Sequence, residues 1–404
     1  MTINYKEKKI GGEIFFISEI NDNIKLPFLL FIPKDVTNSS SLIVDIFSGK
    51  KSVDDFNTVI NETLNTRTKY ISDIVKKLSV ENNNPILMPI IPNFKGYYTC
   101  FFGSQVRNND TTILEENILN GVVKIDENDI EKIKNIDFQV LGMIEESKKI
   151  INKKNNIVIN DKVIMHGYSA GGHFVNGFTA LHPELISTEI VGGIDGMAIL
   201  PFDNINGQKL NYPIGISDIP NFDKTQYSKI RHVFYIGDND FQNCAEINNG
   251  KAKYRTCYTD AEVKLINNIY GNISTHDRMK KINEIYNSNG YNSELIMAAG
   301  NHMTVQINQR LADKISINDK KKPFTWESKS EEIIYNQIKQ KNQIIKQQKE
   351  QKRQMNKPKV KTLTAPSQGG NVSKGFTNVI TLSLIVSFVS GALFMVMYML
   401  LGGK

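Results

Sequence analysis

Apolar and polar positions along this chain divide it into two unlike parts. Over roughly the first 325 residues, short apolar runs alternate with amphipathic segments. The short runs predict strands: a pair within 12–34, then 42–47, 86–91, 162–166, 189–199, 232–236 and 293–299. Between them, helical spacing predicts helices over 54–78, 129–152, 172–181, 261–270 and 277–288. In 129–152, Ile133, Ile136, Val140, Met143 and Ile144 recur on one stripe, the face that packs on a sheet. Residues 93–120 read as a loop rich in Gly, Tyr and Asn; Phe94, Tyr97, Tyr98, Phe101 and Phe102 in it either line an entrance or pack. Residues 200–230 read as an insertion. Strands alternating with helices imply an α/β domain over 1–325, with a mostly parallel central sheet and flanking helices.

The second part has a different pattern. Residues 326–361 are rich in Lys and Gln, with sparse apolar positions (Ile333, Ile334, Ile338, Ile344 and Ile345). They read as a solvated helical stalk, with a coiled coil as the alternative. Residues 362–378, with Pro366, Gly369, Gly370 and Gly375, read as a flexible linker. Val379 to Leu401 is an uncharged apolar run of 23 residues. As a helix it spans about 34 Å, enough for a hydrocarbon core of about 30 Å. Eight basic residues, among them Lys346, Arg353, Lys361 and Lys374, precede this run and only Lys404 follows it. The start of the chain is polar and has no h-region. The expectation is a single-pass, C-terminally anchored protein whose large domain faces the cytoplasm, with the lipid membrane as partner of 379–401.

Charge follows the same division. The net charge is +7, but residues 339–404 hold eleven Lys or Arg against one Glu, which leaves −3 for the rest. The large domain therefore offers no basic face for nucleic acid. Three cysteines, Cys100, Cys244 and Cys257, form no CxxC and no even framework, so free or buried thiols are expected. No cluster has metal-ligand spacing, and no phosphate-cradling Gly loop is present, so no metal or cofactor is expected.

The chemistry concentrates at Gly167-Tyr168-Ser169-Ala170-Gly171. It lies between the run Val163-Ile164-Met165-His166 and the helical segment 172–181, the strand, sharp turn and helix of a nucleophile elbow. A serine nucleophile needs a base, and the base an orienting acid, here in the order Ser, Asp, His. His166, His173, His182 and His232 come too early, and His276 reads as a helix start. His302 follows the strand 293–299 and is the candidate base. After the strand 232–236 comes Gly237-Asp238-Asn239-Asp240, where either carboxylate is a candidate acid; the other caps or braces the loop. The Ala170 N–H and a second N–H near Gly49 or Lys50 are the candidate oxyanion donors.

These stretches, with Leu181-His182-Pro183-Glu184 and Tyr212-Pro213-Ile214-Gly215-Ile216-Ser217-Asp218, resemble the α/β-hydrolase superfamily over roughly residues 12–312. The resemblance is to the branch of polyhydroxyalkanoate-depolymerase-like and feruloyl-esterase-like proteins. It implies a serine esterase acting on a small or polymeric ester, with Ser169, Asp240 and His302 as the triad, Asp240 taking the G-x-x-D position. One departure stands out: the His-Gly pair usual after the third strand is here Ser48-Gly49. An acyltransferase or thioesterase would use the same triad. A membrane-tethered, non-catalytic domain of this fold is a further alternative.

Overall fold

The apolar runs fold as the strands of one sheet. In a computed structural model the chain is described at residues 5–10, 13–18, 24–47, 49, 52–94, 112–194, 197–243, 245–248, 251–252, 258–271, 273–302, 305, 311 and 315. The strands of this part are β1 (Tyr5–Ile10), β2 (Glu13–Ser18), β3 (Phe28–Phe31), β4 (Ile43–Ile46), β5 (Ile86–Pro89), β6 (Val163–Tyr168), β7 (Ile186–Gly192), the short ribbon β8 (Asn204–Ile205) and β9 (Gln208–Lys209), β10 (Arg231–Gly237), a second ribbon β11 (Ile247–Asn248) and β12 (Lys251–Ala252), and β13 (Asn292–Ala298). Among the described residues nine strands make the main sheet, in the order β1-β2-β3-β5-β4-β6-β7-β10-β13. The first three pair antiparallel and β3 meets β5 antiparallel; every pair from β5 onward is parallel.

The parallel half explains the unbroken apolar runs. Strands β4, β5 and β6 are buried at every position, because helices cover both faces of the sheet. Those helices are α1 (Phe56–Thr66), α2 (Asp73–Asn82), α3 (Thr112–Leu119), α4 (Glu127–Lys132), α5 (Ile136–Asn155), α6 (Ala170–Leu181), α7 (Lys224–Tyr227), α8 (Asp260–Tyr270) and α9 (Thr275–Ser288). Their starts are written locally: Asp55, Ser72 and Ser274 each accept a first-turn backbone N–H, and Thr259 closes a capping box with Glu262.

The structure corrects several boundaries. The helix expected over 129–152 is two, α4 and α5, joined at Asn135 in the left-handed region (φ 53°). Gln139 Nε2 donates to the Lys132 and Lys134 carbonyls at 2.9 and 3.0 Å and satisfies the break. The stripe survives it: Ile133, Ile136, Val140, Met143 and Ile144 are all buried. The strand expected over 189–199 runs instead from Ile186 to Gly192, since Gly193 turns with φ +57°. The strand expected over 86–91 ends at Pro89. Strand β1 was not expected from its Tyr-Lys-Glu-Lys-Lys-Ile sequence; its charges suit the exposed edge of a sheet.

The stalk, linker and apolar run over 326–361, 362–378 and 379–401 lie outside the described residues, as do Cys100, Cys244 and Cys257 and the loop aromatics Tyr97, Tyr98, Phe101 and Phe102. Phe94 is described and buried, stacked on Phe56 at 6.1 Å. Among the described residues no helix is long and apolar enough to cross a membrane.

Candidate active site

Ser169 stands where β6 passes into α6. Its backbone is forced to φ 56°, ψ −125°, outside the regions a serine prefers. The glycines around it are there because nothing else fits. A Cβ on Gly167 would lie 2.2 Å from the Gly171 carbonyl oxygen, and one on Gly171 2.4 Å from that of Ile46. One on Gly172 would lie 2.8 Å from the Gly192 carbonyl oxygen. The elbow is thus wedged between β4 and β7, and the Ser169 N–H donates to Gly192 O at 2.9 Å.

The loops after β10 and β13 are stitched to each other before they reach the serine. Asp238 N–H donates to Ala298 O and Asn239 N–H to Gly300 O, both at 2.9 Å. Gly300 N–H answers by donating to Asp238 Oδ1 at 3.0 Å. A Cβ on Gly237 would meet Gly300 O at 2.4 Å, so the two loops approach closer than any side chain allows. Beneath them, His276 Nε2 is 2.8 Å from Gly237 O, in the first turn of α9 as its position after Ser274 predicts.

This stitching brings three of the candidate residues into one line. His302 Nδ1 donates to Asp240 Oδ2 at 2.6 Å, and His302 Nε2 is 2.9 Å from Ser169 Oγ. With Nδ1–H on the carboxylate, Nε2 presents its lone pair to the serine hydroxyl. The other Asp240 oxygen accepts from the Gln242 N–H at 3.3 Å, and Tyr168 Oη donates to Oδ2 at 3.5 Å. The acid side chain is 2% exposed and the base 12%, a sealed carboxylate behind an imidazole that solvent can reach.

Asp238, the other candidate acid, braces the loop. Burial pushes its carboxyl up against the opposing bonds from the Gly300 N–H and Asn239. His166, His173, His182, His232 and His276 are all buried. Ala170 opens α6, where its N–H has no carbonyl within the helix to meet. Gly49 adopts the left-handed region (φ +63°), and its carbonyl accepts from Asn93 Nδ2 at 3.3 Å. Lys50 lies outside the described residues. Two neighbours escaped the sequence reading: Asn93, which ties the Gly49 turn to the end of β5, and Tyr168. Tyr168 had a signal, its place beside the serine; Asn93 had none. Among the described residues no group of His, Cys, Asp or Glu has the arrangement of a metal site.

The strand order, the elbow at the carboxyl end of the sheet and the chain order Ser, Asp, His make this an α/β-hydrolase fold with a mostly parallel central sheet. No family model matches the chain, and no curated protein sequence does. Among solved structures it is similar to poly(aspartic acid) hydrolase-1 from Sphingomonas sp. KT-1, at 14% identity and TM-score 0.39, over 78% of this chain and 98% of that one. It is similar to a poly(3-hydroxybutyrate) depolymerase from Bordetella parapertussis at 13% identity and TM-score 0.38, over 78% and 88%. It is similar also to an S-formylglutathione hydrolase from Agrobacterium tumefaciens at 11% identity and TM-score 0.39, over 77% and 96%.

Proposed function

We propose that the chain is a serine esterase that cleaves carboxylic esters through an acyl-enzyme. The observation that carries this reading is His302, hydrogen-bonded to Ser169 Oγ on one side and Asp240 on the other. His302 Nε2 takes the hydroxyl proton as Oγ attacks the ester carbonyl, and returns it to the departing alcohol. Asp240 holds the ring in the tautomer that leaves Nε2 free and stabilises the imidazolium. The Ala170 N–H, at the positive end of α6, receives the oxyanion together with an N–H of the turn at Gly49 and Lys50. Water then repeats the sequence on the acyl-serine.

The test is labelling of the full chain by a fluorophosphonate probe, with the modified peptide mapped. Modification at Ser169, slowed by a p-nitrophenyl ester present during labelling, is expected. An unlabelled protein that turns over no ester of any chain length, nor a thioester, overturns the reading. We propose further that 379–401 anchors the protein in a membrane with the hydrolase domain in the cytoplasm, on the strength of the apolar run and its one-sided basic flank. Protease added to intact cells is expected to spare the domain; its digestion from outside would overturn that topology.

A further inference from the structure

Tyr168 touches more of the site than its place in the motif requires. It is the last residue of β6, its carbonyl bonded to Ser169, and it is 7% exposed. Its side chain lies across the glycines at the end of β7 and just after it. A Cβ on Gly193 would come within 2.5 Å of the Tyr168 ring, and one on Gly192 within 2.0 Å of Tyr235. The pair Gly192-Gly193 is therefore a trough in the sheet surface that two aromatic rings fill. In this trough Tyr168 stacks on Tyr235, with ring centroids 5.8 Å apart. Its other edge lies against the His302 imidazole at 5.1 Å, and its hydroxyl reaches Asp240 Oδ2.

We propose that Tyr168 is a positioning residue for the triad, its hydroxyl holding Asp240 Oδ2 and its ring backing the His302 imidazole. The proposal rests on the esterase reading above. Its logic lies in which oxygen the hydroxyl meets. Oδ2 is also the acceptor of the His302 Nδ1–H, so the tyrosine draws charge from the very atom that stabilises an imidazolium. A carboxylate oxygen sharing its charge between two donors attracts the imidazole proton less. Among the described residues, the groups in contact with His302 are Asp240 from the loop after β10, and Tyr168 and Ser169 from the elbow. Asp238 acts at one remove through the Gly300 N–H, and His276 through the Gly237 carbonyl. Tyr235 serves Tyr168 by packing alone, since its own hydroxyl is 3.1 Å from His166 Nε2 and points away from the triad.

The experiment is the pH dependence of the second-order rate of Ser169 labelling by a fluorophosphonate, on the full chain. Its acid limb reports proton loss from His302. Tyr168→Phe is expected to lower the plateau rate by about three- to tenfold and to move the acid limb to higher pH by a few tenths of a unit, since the 3.5 Å bond is a weak one. Tyr168→Leu, which removes the ring as well, is expected to lower the plateau further. Tyr235→Phe keeps the stack and is expected to leave the limb where it is. A Tyr168→Phe protein with the wild-type plateau and limb overturns the proposal while the esterase reading stands. A limb that Tyr235→Phe moves as far as Tyr168→Phe overturns it too, by showing a general response of the core. Wild-type protein unlabelled at Ser169 overturns both.

Discussion

Among the described residues, Ser, His and Asp stand in hydrogen-bonded series twice. At the end of the sheet are Ser169, His302 and Asp240. Within it are Ser72, His166 and Asp45, where His166 Nδ1 is 2.6 Å from Asp45 Oδ1, the same distance as in the first set. His166 Nε2 is 3.5 Å from Ser72 Oγ and 3.1 Å from Tyr235 Oη. Composition does not tell the two apart; placement does. Ser72 has ordinary extended backbone, and its oxygen is already taken up accepting the Val75 N–H at the start of α2. His166 and Asp45 face each other in register on adjacent strands, and both are buried. Asp45 is tied further by Arg67, which donates to its carboxylate at 2.7 Å and its carbonyl at 2.8 Å. Among the described residues Asp240 has no such arginine beside it. The serine of the first set sits on a forced turn beside a helix N-terminus, and its histidine comes from a loop that solvent reaches. A hydroxyl with no structural duty, at the carboxyl end of a strand, separates a site from a core network.

Single substitutions sharpen this contrast. Ser169→Ala is expected to lower ester turnover by about 10⁶-fold with the thermal midpoint unchanged, measured on p-nitrophenyl acetate. Asp240→Asn is expected to lower it by about 10⁴-fold, because the amide supports the wrong imidazole tautomer. Asp238→Asn, which disturbs only a loop brace, is expected to fall far short of that; a larger loss than Asp240→Asn would exchange their roles.

In the buried set the same kinds of change act on stability. His166→Ala leaves the Asp45 carboxylate short of a partner and opens a void, and is expected to cost about 3–5 kcal/mol in urea unfolding. Activity per folded molecule is expected to hold; its loss would mean that the core network reaches the triad. Asp45 also predicts a pH window. Burial favours its neutral form, but the Arg67 charge and the His166 hydrogen bond prevail and hold the carboxyl down to about 2, from an ordinary 3.8. A folded value below the unfolded one means stability that is full above about pH 4 and is lost as pH falls towards 2, on the order of 2 kcal/mol. Wild type is expected to lose more stability than Asp45→Asn between pH 5 and 2.5 by about that amount. Ser72→Ala, the counterpart of Ser169→Ala, has the smallest effect: about 1 kcal/mol for a lost helix cap, with turnover intact.

Much of this was legible in the chain because it is local. The strand, turn and helix around Ser169 need only an apolar run, glycines where a Cβ would strike backbone, and a helical segment after them. The loops that carry Asp240 and His302 follow their strands in chain order, so position pointed to them. The stripe Ile136, Val140, Met143 and Ile144 gave α5 its buried face and Ile133 continued it from the end of α4, although the break at Asn135 did not show. A hydrogen-bonded side chain four residues beyond the break, Gln139, makes that break tolerable, and periodicity carries no trace of it. Strand β1 stayed hidden because an edge strand needs no apolar pattern.

Local residue patterning left Asp238 and Asp240 both open as the acid, and only the G-x-x-D position of the family resemblance leaned to Asp240. Both are acidic, two residues apart and in one turn; only the meeting of two loops turns one towards Gly300 and the other towards His302. The same holds for Asp45 and His166, which are 121 positions apart in sequence and become partners through strand register. Tyr168 had a visible place but no visible task until Gly192 and Gly193 opened the trough that lets its ring cross to Asp240. The sequence by itself determined most of the elements, their order and the position of the candidate nucleophile, because those depend on neighbours along the chain. The tertiary structure decided which polar groups meet, because hydrogen bonds between distant strands depend on register and on the space that neighbouring residues leave.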